Sequence, residues 1–160
     1  MSQTSSADTP GVTVLPPLVY LAGLVGGYII QFLWPVPVVP PLFDIAIRAA
    51  GIVVILVGGW LMFTALGIFQ RVGTPANPHE TPKALAFDGP YRFTRNPMYL
   101  GMACVGGGLA LVGNALWPLL ALIPVIWWIQ TQVIAREEAY LEVKFGAPYL
   151  EFKQRVRRWL

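Results

Sequence analysis

Long apolar runs broken by proline and glycine dominate the chain. Leu15 to Leu33 contains no charged residue, and Pro35, Pro37, Pro40 and Pro41 follow at once. A helix needs roughly 20 apolar residues to cross the hydrocarbon core, and proline cannot continue one. The pattern therefore predicts a first span over 15–33 with a break after it. Ile45 to Phe69 is the second span, with Arg48 close enough to its start to snorkel. Met98 to Ala135 is too long for a single crossing. Gly113-Asn114 sits in its middle and divides it into spans over 98–112 and 115–135. The expected fold is all-α, a polytopic membrane helical bundle of about four transmembrane helices.

Polar positions return after the last span. Ile134 to Lys144 can continue as a helix out of the membrane, and Phe145-Gly146 breaks it. Pro148 suits the first turn of a further helix. Tyr149, Phe152, Val156 and Trp159 recur at three- and four-residue spacing, with Lys153, Arg155, Arg157 and Arg158 on the rest of the surface. This is the pattern of a basic amphipathic helix at the interface, so 136–160 is expected to be an interfacial C-terminal segment of one membrane domain over 15–160.

Composition agrees. The 160 residues are 56% hydrophobic and 12% charged, against about a quarter charged in soluble domains. Met1 to Pro10 is polar without the features of a signal peptide, and 1–14 is expected to be a disordered tail. The single cysteine, Cys104, excludes a disulfide or cysteine metal cluster within one chain. With four spans, the loop Arg71 to Arg95, the C-terminal segment and the N-terminus share one side. That side holds all eleven Lys and Arg residues except Arg48, so the positive-inside rule makes it cytoplasmic.

Most features that could carry chemistry have a structural explanation. Gly106-Gly107-Gly108 lies in an apolar run with no strand before it, so it lacks the context of a nucleotide loop. Close helix packing explains it, as it explains Gly23 and Gly27. Trp117, Trp127 and Trp128 read as interfacial anchors or packing residues. His79 is alone among Pro78, Glu80 and Pro82 in a loop and cannot form a metal site by itself.

Two stretches resist that treatment. In Gly89 to Gly101, Arg92 and Arg95 flank Phe93, and Asn96-Pro97 stands at the start of the third span. A helix start exposes unpaired N–H groups and favours anions, so this position suits a carboxylate or phosphate; lipid headgroups would bind there on the same physics. Glu137-Glu138 leaves the fourth span on the same side. The pair reads as a solvated helix end, or as one wall of a site for a cationic or hydrogen-bond-donating ligand. A molecule with an amino acid end, a ribose and a positive sulfur would match both walls.

The stretch Gly89-Pro90-Tyr91-Arg92-Phe93-Thr94-Arg95-Asn96-Pro97-Met98-Tyr99-Leu100-Gly101 resembles the signature of the isoprenylcysteine carboxyl methyltransferase-like and phospholipid methyltransferase families. Arg136-Glu137-Glu138, Leu141, Phe145-Gly146-Ala147-Pro148-Tyr149 and Val156 resemble their second motif, and Gly73-Thr74-Pro75-Ala76-Asn77-Pro78 resembles the loop of bacterial members. The resemblance implies a membrane methyltransferase that uses S-adenosylmethionine without a Rossmann domain. It places the cofactor in a cytoplasmic pocket closed by the C-terminal helix, with the acceptor arriving from the bilayer. By motif position it implies that Lys83, Ala84, Leu85, Ala86, Tyr91, Asn96, Pro97, Met98, Tyr99 and Glu137 line the cofactor site. Arg95 would orient the loop, and Tyr149 and Arg155 would help cover it. Prenylcysteine members resemble one another in having His at the position of Asn96 and Arg at that of Val133, so their substrate is not implied here.

A methyl group on a sulfonium is already activated, so alignment and exclusion of water are the main requirements. An amine or phenol acceptor would also need proton removal. Glu138 is the catalytic candidate because it adjoins Glu137. The expected partners are the bilayer and a lipophilic acceptor bearing a carboxylate, amine, phenol or thiol, with no nucleic acid. The expected location is the bacterial inner membrane, with both termini and the active site cytoplasmic. The alternative is a non-catalytic protein that binds anionic lipid or a partner through its basic C-terminal helix. A transporter is disfavoured because the spans carry almost no ionisable residues.

Overall fold

The computed structural model describes residues 9–75, 77 and 80–160, and no strand occurs among them. The helices are α1 (Pro16–Leu33), α2 (Asp44–Arg71), α3 (Pro97–Val112), α4 (Leu116–Trp128), α5 (Ala135–Phe145) and α6 (Ala147–Arg155). α4 runs into α5 through a π-helical stretch, Ile129–Ile134, forming one apolar helical rod over Leu116–Phe145. Three helical segments, Pro16–Leu33, Pro41–Arg71 and Leu116–Phe145, are long and apolar enough to cross a membrane. α3 is apolar but shorter, at 16 residues. It spans only about 24 Å at 1.5 Å per residue. Leu116 to Ile134 already covers about 28 Å, so the charged α5 extends past the hydrocarbon.

Local sequence explains the boundaries. Pro16 and Pro97 occupy first turns, where their missing N–H is no loss. The turn between α3 and α4 uses Asn114 at φ 45°, a left-handed conformation that asparagine tolerates. Gly146 at φ 59° separates α5 from α6, which a residue with a Cβ would resist.

α2 packs on α3, α3 on α4, and α4 on α1. The closest approach uses paired glycines. A Cβ on Gly58 would lie 2.7 Å from the Gly101 carbonyl oxygen, and one on Gly101 would lie 2.7 Å from that of Gly58. Gly51 and Gly108 form the same reciprocal pair one level along. Gly23 and Gly27 let α1 lie directly against Val125 and Pro118 of α4. The triple glycine is therefore packing surface, with Gly106 and Gly107 facing Leu122. Phe32, Ile45 and Phe63 point outward at 87%, 85% and 81% exposure, an arrangement suited to lipid.

Two expectations need correction. Within the expected disordered tail, Val12 packs into the bundle, 4% exposed in a core cluster containing Tyr20, Ile129 and Val133, while Gly11, Thr13 and Val14 are exposed. Residues 1–8 lie outside the described residues. The C-terminal segment is helical only to Arg155, and the chain becomes extended at Val156. Phe152 and Tyr149 are already buried by then, and the last residues return toward the start of α3 instead of continuing an amphipathic stripe.

Candidate functional site

A cavity of about 390 Å³ lies where α1 begins, α2 ends, α3 begins and α5 emerges. That is the size of a small-ligand pocket. Leu15 with Pro16 and Pro17 at the start of α1 forms one side, and Phe69 of α2 with the loop residues Thr74, Pro75 and Pro82 forms another. Asn96, Pro97, Met98, Tyr99 and Met102 supply the α3 wall, and Glu137, Glu138 and Leu141 the α5 wall. Tyr149 and Phe152 of α6 close over it. Most of the lining is apolar, with Tyr91 stacked on Phe69 at a ring separation of 5.5 Å.

The two adjacent carboxylates have opposite environments. Glu137 is half-buried at the cavity wall. The Tyr99 hydroxyl donates to its Oε1 at 2.6 Å, and its Oε2 accepts no hydrogen bond among the described residues. Burial pushes this carboxyl up to about 7; the Tyr99 hydrogen bond opposes the rise and the charge of Glu138 adds to it. Glu138 is 4% exposed. Arg95 donates to its Oε1 from Nη2 at 2.8 Å, and Arg158 donates to its Oε2 from Nη2 at 2.6 Å. Burial by itself would raise its pKa, but the hydrogen bonds from Arg158 and Arg95 outweigh burial and hold it below the ordinary range. A carboxylate gripped by two guanidiniums is a poor proton acceptor. Glu138, the catalytic candidate, lines the cavity with both its oxygens bonded to arginines.

Beside this pair, the first turn of α3 opens onto the cavity. No side chain caps its first N–H groups. Asn96 instead turns its amide to the Arg158 carbonyl at 3.0 Å, and its N–H is taken by Thr94 Oγ1 at 3.1 Å. Pro97 has no N–H and the Leu100 N–H bonds the Asn96 carbonyl, so the uncapped N–H groups are those of Met98 and Tyr99, whose residues line the same cavity as Glu137.

The structure brings together Ala84, Leu85, Ala86, Tyr91, Arg95, Asn96, Pro97, Met98, Tyr99 and Glu137, all of which line the cavity. Lys83 does not: it is exposed, and its backbone N–H donates to Thr74 Oγ1 at 2.9 Å. Arg92 is exposed and bonded to Asp88. Arg155 also stays outside, its Nε turned to the Glu151 carbonyl of its own helix. Ala76, Pro78 and His79 lie outside the described residues. Val133 is fully buried in the core beneath α1, so its position offers no contact to a ligand. Sequence reading missed Arg158, Thr94 and Phe152. Phe152 had a signal in its spacing with Tyr149. Arg158 had none, because its inward turn depends on the helix ending at Arg155.

A family model for phospholipid methyltransferases matches residues 46–148. The match takes in both cavity walls, from α2 through α5 to the start of α6. The chain belongs to the phospholipid methyltransferase family. Membership implies a membrane methyltransferase. A protein of Haemophilus influenzae, described as uncharacterized, is 48% identical over 65 residues, which is 39% of this chain and 100% of that relative. No solved structure matches the chain.

Proposed function

We propose that the chain is an S-adenosylmethionine-dependent methyltransferase acting on a lipophilic acceptor at the cytoplasmic face of a bacterial inner membrane. One observation carries the cofactor assignment: the Glu137 carboxylate, bonded through one oxygen to Tyr99, sits beside the uncapped first turn of α3 in a mostly apolar cavity. That donor and acceptor set fits a zwitterionic amino acid end together with hydroxyls and an apolar ring. Bound S-adenosylmethionine supplies a methyl group already activated on a sulfonium.

The residues then have separable duties. Glu137 accepts from the ammonium or hydroxyl groups of the cofactor through Oε2, while Tyr99 fixes its rotamer. The first N–H groups of α3 hold the carboxylate. Tyr91, Leu85, Ala86 and Met98 supply flat apolar contact. Phe152 and Tyr149 exclude water, which strengthens every polar contact inside. The acceptor reaches the site from the bilayer beside α1, where Leu15 both lines the cavity and is 42% exposed. α3 acts as a fourth, short crossing, and the basic residues clustered at the cavity end set the orientation. No dedicated base is needed for an acceptor that is already nucleophilic.

The alternative, a non-catalytic lipid-binding protein, explains the exposed arginines but leaves the half-free carboxylate inside the cavity without a role. The test is transfer. Purified protein in detergent is incubated with methyl-labelled S-adenosylmethionine and a bacterial lipid extract, and label is counted in the organic phase. Label that depends on Glu137 supports the reading. No transfer with any lipid fraction, from a chain that also fails to bind the cofactor, refutes it.

A further inference from the structure

The last residues of the chain are held by more bonds than a surface strap needs, and nearly all converge on one place. The Arg95 backbone N–H donates to the Arg157 carbonyl at 2.9 Å. The Arg95 Nη1 donates to the Lys153 and Val156 carbonyls at 2.9 and 2.8 Å. The Arg158 carbonyl accepts from Thr94 Oγ1 at 3.1 Å and from Asn96 Nδ2 at 3.0 Å. Buried Glu138 joins the two arginines. The loop before α3 and the C-terminal strap are thus clamped to α5 through one carboxylate.

The clamp is graded. Arg95 is 9% exposed at its side chain, whereas Arg158 is 33% exposed. Charge-assisted bonds at a wet rim break more readily than buried ones. The Arg158 side chain is the outer member, and its release removes the one charged tie among the several bonds that hold the strap after Tyr149 and Phe152. Glu137, which faces the cavity, is the next residue on the same helix, and Asn96, which lines the cavity, holds the Arg158 carbonyl.

We infer that the Arg158–Glu138 ion pair is the latch of a C-terminal lid, and that its opening sets the rate at which cofactor and product enter and leave. This rests on the cofactor reading above. Arg158 is a positioning residue: it touches no ligand and acts through Glu138 and the strap.

The experiment uses full-length protein in detergent and three variants, Arg158→Gln, Arg158→Lys and Arg155→Gln. Two quantities are measured: the dissociation rate of S-adenosylhomocysteine, and chymotryptic cleavage at Tyr149, Phe152 and Trp159 without ligand. Thermal melting reports whether each variant is folded. Arg158→Gln should raise the dissociation rate about tenfold, the loss of one charge-assisted pair, and should speed tail cleavage by a similar factor. Arg158→Lys, which keeps the charge but not the fork, should fall between. Arg155→Gln should match wild type in both. Wild-type rates in folded Arg158→Gln, or an equal change in Arg155→Gln, would overturn the latch. Cleavage is read without ligand, so a chain that binds no cofactor still tests the latch while refuting the cofactor assignment.

Discussion

The two ends of the bundle both carry polar clusters, yet they differ in whether anything is left over. At the end formed by the α1–α2 and α3–α4 turns, Asn114 accepts from the Val38 and Val39 N–H groups and donates to the Val39 carbonyl and Asp44. Those four bonds exhaust its amide. Asp44 takes Arg48, and Arg48 takes the Val112 carbonyl. Gln31 bridges the Val36 carbonyl and the Trp117 N–H. The partners are all within the protein. At the opposite end Glu138, Arg95 and Arg158 are equally consumed, but Glu137 and the first turn of α3 keep unspent capacity toward a cavity. Density of polar groups does not mark a site; residual capacity beside an enclosed volume does.

The largest effect expected is on Glu137. Glu137→Gln keeps the shape and loses the charge, so S-adenosylmethionine affinity by calorimetry should fall by about ten- to a hundredfold, the range of a hydrogen bond to a charged group. Melting should be unchanged or higher, because a half-buried, partly desolvated carboxylate is removed. Asn114→Ala is the matching change at the closed end. It should lower stability by about 2 kcal/mol through two orphaned N–H groups and a lost turn anchor, read as the melting midpoint, while affinity stays at the wild-type value. A drop in affinity there would break the distinction between the ends.

A pH series sharpens it further. With its carboxyl pushed up to about 7, Glu137 is protonated on the acid side and cannot accept a cationic group. Affinity should therefore rise about tenfold between roughly pH 6 and pH 8, and Glu137→Gln should flatten that rise. Ligand-free stability runs the other way. A raised carboxyl contributes stability that is complete below its ordinary value of 4.5 and lost as pH rises through about 7. The smallest effect is Tyr99→Phe. It removes one donor to Glu137 and should weaken binding about fivefold, read in the same titration.

Much of the fold was legible because membrane spans write themselves in long runs. Charge-free stretches, Pro35 to Pro41 and Gly113-Asn114 placed the breaks near their observed positions. The cavity walls were legible from Asn96-Pro97 and Glu137. What escaped depends on tertiary context. Glu138 looks like a free base beside Glu137 until Arg95 and Arg158, 43 and 20 residues away in sequence, are seen to claim it. Arg155 and Arg158 are alike as residues; only the end of α6 decides which turns inward. Val12 sits in a polar-looking stretch before α1, and nothing local says that α1 and the Ile129–Ile134 stretch will bury it. Lys83 followed a motif position, but its side chain faces out.

The measurement that bears most directly on this account is hydrogen exchange of the detergent-solubilised chain with and without saturating S-adenosylmethionine. Bound cofactor should slow exchange together at residues 95–102, 137–141 and 149–158, with no change at 36–48 and 112–118. Protection absent from the first group, or appearing at the closed end, would contradict it.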